Sequence, residues 1–92
     1  ASRVVRAAVR RAVQRPTHAP DDIRLEIEQN RLTGVVVRLV CSYGADLQEL
    51  ATGVREELHA LVRELLGPDP AFGPEHIEVQ VIDVVVGDPN RV

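Results

Sequence analysis

The chain has 92 residues, of which 45% are hydrophobic and 27% charged, with a net charge of -3. That length holds about one small domain and that balance belongs to a globular chain, which excludes a second full domain and a disordered or membrane-embedded composition within these residues. Aromatics amount to 2%, Tyr43 and Phe72, with no Trp or Met, so a core must be built from Val, Leu, Ile and Ala. A chain this short buries only about 60–65% of its unfolded surface. Little room is left for an enclosed active-site cavity, and association with another surface becomes a route to stability.

The first segment reads as a basic helix over residues 2–15. Ser2 is a candidate N-cap, Val5, Ala8, Val9, Ala12 and Val13 share one arc, and Arg3, Arg6 and Arg10 cluster beside it. The arc lacks the Trp, Phe or Leu that drive insertion into lipid headgroups, which suits a helix lying on a sheet. Pro16 stops it, and Pro16 to Pro20 reads as a stiff connector. Ile23, Leu25 and Ile27 then alternate with Arg24, Glu26 and Glu28 as a half-buried strand. Gln29 to Gly34 holds a turn around Asn30 and Gly34, and Val35 to Cys41 is a second strand, closing a hairpin over residues 22–41. Its phase puts Val35, Val37, Leu39 and Cys41 inward and Val36, Arg38 and Val40 on the more exposed face.

Ser42, Tyr43 and Gly44 break the strand, and Asp46 with Glu49 forms a capping-box pattern opening a helix over residues 46–66. Leu47, Leu50, Ala51, Val54, Leu58, Leu61, Val62 and Leu65 recur at helical spacing, Gly67 is placed as a left-handed terminal residue, and Pro68 forbids continuation. Gly53 costs this helix about 1 kcal/mol of propensity, which implies close approach to another backbone. After a Pro68 to Pro74 loop, a closing strand over residues 76–86 alternates Ile77, Val79 and Val81 with Glu78, Gln80 and Ile82. The same phase would aim Asp83 into the core, where an unpaired carboxylate is costly, so the strand should bend or bulge near Ile82. From Gly87 onward the chain reads as a frayed tail.

The order helix, strand, strand, helix, strand predicts an α+β domain, a three-stranded sheet covered on one face by two helices. The other face stays open and displays Arg24, Glu26, Val36, Arg38, Val40, Glu78 and Gln80, a mosaic suited to self-association. Charge is uneven along the chain. Residues 1–20 hold Arg3, Arg6, Arg10, Arg11 and Arg15 with no acid, a local +5, and the remainder is -8, its 6 Arg set against all 14 Asp and Glu. Such a split fits an internal electrostatic match or a basic arm for an anionic partner. All 11 basic residues are Arg, which reads as coding bias rather than a demand for guanidinium chemistry.

Catalysis needs a nucleophile, a base and an orienting group that converge. His18 lies in the connector, His59 on the long helix and His76 at a strand start, so they read as scattered surface residues, and Cys41 reads as a small buried hydrophobe. Neither a zinc ligand set, a glycine-framed nucleophile nor a phosphate-cradling loop is present, so no enzyme activity, metal or cofactor is expected. One cysteine cannot form an internal disulfide, no charged-then-apolar leader precedes the first helix, and no apolar run approaches the roughly 20 residues of a membrane helix, which together point to a cytoplasmic home. The element order is close to a prokaryotic-type KH domain, but the Gly-x-x-Gly loop of that module is missing, as are aromatic platforms in the strand centres.

From Ile23 onward the chain resembles the alkaline shock protein family, small bacterial envelope stress response and general stress proteins. The likeness rests on the hairpin followed by Tyr43-Gly44, the helix from Asp46 to Leu66 ending at Gly67, and the strand Val79-Gln80-Val81-Ile82-Asp83-Val84. The resemblance implies a non-enzymatic cytoplasmic protein that associates with itself and reaches the inner face of the cell membrane through a membrane-anchored partner. It carries over no cofactor or catalytic residue. The alternative is a small nucleic-acid-binding module using Arg3, Arg6, Arg10, Arg11 and Arg15.

Overall fold

Helix α1 occupies Ser2–Ala12 and buries Val5 and Val9. It ends short of the predicted residue 15, because Arg15 and His18 exchange backbone hydrogen bonds (3.0 and 3.2 Å) around Pro16 and Thr17. A residue before proline is pushed out of the helical region, which turns the chain here. The predicted stiff connector is therefore a tight reversal, and strand β1 (His18–Glu28) starts directly after it, ahead of the predicted residue 22. Pro20 fits inside β1 because β1 is an edge strand. The structure, a computed structural model, describes residues 2–91.

Strand β2 (Arg31–Ser42) pairs antiparallel with β1. Gln29 and Asn30 turn the hairpin with φ of 52° and 63°, the two-residue primed turn whose twist matches the strands. Gly34 lies within β2 opposite Glu26, not in the turn. The pairing slips between Glu26 and Ile27, so Ile27 faces Leu32 and is exposed instead of inward. Helix α2 (Leu47–Leu66) starts where the Asp46 carboxylate accepts the Glu49 N–H at 3.1 Å. It ends at Gly67, whose φ is positive (86°) but whose ψ of 165° is extended rather than left-handed helical.

A short 3-10 turn, Pro74–His76, leads into strand β3 (Ile77–Val85), which lies parallel to β2. The sheet order is β1-β2-β3, so β1 and β3 are its two rims. Pairing passes from Leu39–Val81 to Val40–Asp83, which makes Ile82 the extra residue of a bulge and keeps Asp83 exposed, as the cost of burying it predicts. Two helices and a three-stranded mixed sheet thus form the α+β fold that the periodicities predict.

One core joins Val5, Val9 and Val13 to Ile23, Val35, Val37, Leu39, Cys41 and Ile77 of the sheet and to Val54, Leu58 and Val62 of α2. Each fully buried aliphatic side chain contributes about 1.5–3 kcal/mol. Phe72 also buries itself from the loop after α2, whereas Gly53 approaches nothing: an added Cβ there would meet no atom within 4 Å. The close approach predicted for it is absent. The segment after β3 is tied down, not frayed. Ser42 donates to the Gly87 carbonyl (2.9 Å), the Asn90 amide donates to the Arg15 carbonyl (2.7 Å), and Pro89 is buried.

Candidate interaction surfaces

The sheet turns one face to the helices and leaves the other open. Arg24, Val36 and Glu78 fall in one cross-strand row and Asp22, Arg38 and Gln80 in the next. Arg24 lies 3.9 Å from Glu26, Arg38 donates to the Gln80 amide oxygen at 3.2 Å, and Gln80 in turn donates to the Glu78 carboxylate. The predicted self-association residues are gathered on one surface, but their polar groups already satisfy one another. Val36 is buried rather than exposed, at the floor of a depression of about 250 Å³ lined by Asp22, Arg24, Arg38 and Gln80. Long arginine stems cover apolar surface while their heads stay in water. Val40 is half-buried.

The rims differ more than the faces do. Within a strand, N–H and C=O of one residue point the same way and successive residues alternate. The Ser42 N–H bonds to Thr17 O on the β1 side and the Tyr43 N–H bonds to Val85 O on the β3 side. Carried along the register, this alternation directs Ile77, Val79 and Val81 to the outer rim of β3 and Ile23 to the outer rim of β1. On β1, the guanidinium of Arg6 reaches down from α1 and donates to the Ile23 carbonyl. On β3, Arg55 donates to the Ile77 carbonyl (3.2 Å), and beyond it the side chains of Val79 and Val81 are half-buried against the core while no described strand pairs with their outward backbone groups. Ile82 and Val84 are each 41% exposed on this strand. The sequence could not reveal this, because an edge is a property of strand order rather than of local period.

The N-terminal arginines separate into three roles. Arg6 covers the β1 rim. Arg15 pairs with Glu57 at 2.8 Å, the internal match that the charge split allowed. Arg3, Arg10 and Arg11 are exposed and make no ion pair or side-chain hydrogen bond among the described residues.

Of the three imidazoles, read from the sequence as surface groups, His76 is exposed, His59 is half-buried and His18 is buried. His18 is 7% exposed, shares a hydrogen bond with Thr17 Oγ1 at 3.0 Å, and lies in an open cleft with Glu49, Gly53 and Glu57. Burial pushes its pKa below the usual histidine value, with Arg15 adding to the shift and Glu57 opposing it. Its pairing with Cys41 puts it in the inward phase of β1, a signal hidden while Pro16 to Pro20 was read as a connector. His59 and His76 stack on either side of Phe72, with centroids 6.2 and 5.8 Å away. Arg31 grips the Asp69 carboxylate with two hydrogen bonds of 2.9 Å and holds its pKa below the usual carboxylate range.

Two clefts, of about 690 and 490 Å³, share that Arg31–Asp69 pair in their lining. In the larger cleft Thr33 Oγ1 donates to the Glu26 carbonyl and His76 Nδ1 accepts the Gly73 N–H. Cys41 is buried away from both clefts, and burial raises its thiol pKa. Among the described residues no three His, Cys, Asp or Glu side chains are grouped to hold a metal, and no helix is long and apolar enough to cross a membrane. No family model, curated protein or solved structure matches the chain.

Proposed function

We propose that this chain is a non-enzymatic scaffold or adaptor of the envelope stress and general stress type, one that associates with itself and docks to a membrane-anchored partner. The observation that carries the reading is the outer rim of β3, where Val79 and Val81 present unpaired backbone beside the exposed Ile82 and Val84. Such a rim is a template for another strand. The likeness of Tyr43-Gly44, the α2 segment and the β3 strand to the alkaline shock protein pattern supports the stress-protein assignment.

A second reading is favoured by the three unpaired arginines of α1, which suit phosphate contacts in a nucleic acid. Salt separates the two. Sedimentation velocity across rising protein concentration, at low and high salt, should show association that survives high salt. A native pull-down with nuclease added should return the protein itself together with a membrane-anchored protein. A monomer at every concentration, with nucleic acid recovered and lost steeply as salt rises, would replace the scaffold reading with the nucleic-acid one.

A further inference from the structure

We infer that the occupant of the open β3 rim is the same strand of a second copy, paired antiparallel about a two-fold axis that passes beside Gln80. The inference rests on the scaffold reading and adds the partner, the register and the end point of the contact. The outward-directed backbone groups before the bulge belong to Ile77, Val79 and Val81, and Arg55 already holds the Ile77 carbonyl. Val79 and Val81 remain. They sit symmetrically about Gln80, so each N–H and C=O of Val79 meets those of Val81 in the other copy, and the axis repeats the pair.

The side chains agree with this register. Opposed residues in an antiparallel pair lie on the same face. Val79 and Val81, both on the helix side, meet each other. Glu78, on the open side, meets Ile82 of the second copy, and Gln80 meets Gln80, so no two like charges face each other. The bulge then ends the pairing: the Asp83 carboxylate accepts the Val84 N–H at 2.8 Å and occupies the next group along the rim. In this register each Val79 meets a Val81 and each Glu78 an uncharged Ile82, so a second copy of the strand is complementary to the first. An isologous contact of this kind closes after two copies.

The test is disulfide trapping in the full chain under mild oxidation. At the axis, Gln80 is a non-hydrogen-bonded position with about 4.5 Å between Cα atoms, within the range that a disulfide spans. Gln80→Cys should cross-link to itself. Glu78→Cys and Ile82→Cys should cross-link when mixed but not singly. Arg24→Cys, on the β1 side, should not link, and the parent chain with its buried Cys41 is the blank. Independently, Gln80→Arg sets two guanidiniums against each other and should weaken association by about tenfold or more while leaving the circular dichroism spectrum unchanged. Association without a Gln80→Cys link, or with a link at Arg24→Cys, overturns the register while the scaffold reading stands. A parent chain that stays monomeric overturns both.

Discussion

The two rims of the sheet began with the same liability and differ in what covers them. Along β1 the chain folds its own N-terminal helix down, anchors it with Val5, Val9 and Val13, and lays Arg6 on the outward Ile23 carbonyl. Pro20 and two slips in register add twist and remove a donor, devices that discourage a further strand. Along β3 a single bulge stands at Ile82, late in the strand, and the stretch before it keeps an unbroken register with β2. Two open rims would permit head-to-tail growth without limit. One covered rim would restrict edge pairing to a closed pair, so under the proposed self-association α1 would bear on assembly as well as on the core.

The comparison can be broken from the α1 side. Val9→Ala removes two methyl groups from a fully buried site and should cost about 2 kcal/mol, read as a lower urea midpoint. It should also loosen α1 from β1, raise amide exchange at Ile23, and yield species larger than a pair in sedimentation. Arg6→Ala should cost less, about 1 kcal/mol for the lost hydrogen bond, with the same shift toward larger species. If Arg6→Ala left the size distribution unchanged, the guanidinium would not be what guards that rim.

Two further changes sharpen the contrast without touching either rim directly. Gly53→Ala enters open space on α2 and should stabilise the chain by about 0.5–1 kcal/mol in chemical denaturation while leaving association alone. Acid should act where β1 begins. The pKa of His18 is lowered in the fold, so the unfolded chain takes up the proton first as pH falls. Its contribution is therefore fully present above a pH of about 6.5 and is lost as pH drops through the folded value. Denaturation midpoints at a series of pH values should show this decline, and His18→Gln should flatten it.

The hairpin, α2 and the bulge near Ile82 were legible because each follows from a local rule: alternation, three-and-four spacing, and the cost of burying Asp83. His18 was not legible because two prolines disguised the start of β1, and only the pairing with Cys41 shows its inward phase. Val36 has the alternation of an exposed residue and is covered by neighbours from two other strands. The candidate face could be assembled from phase alone, but its Arg38–Gln80 bridge depends on register across strands. The open rim lay furthest from view. No residue in β3 announces that nothing lies beyond it.

Hydrogen exchange of Val79 and Val81, followed as a function of protein concentration, bears most directly on the idea that β3 is the associating edge. Their amides should be fast in dilute solution and become protected as concentration rises, while exchange at Ile23 stays constant. Amides of Val79 and Val81 that exchange at one rate from the lowest to the highest concentration, while the chain associates, would place the contact elsewhere on the molecule.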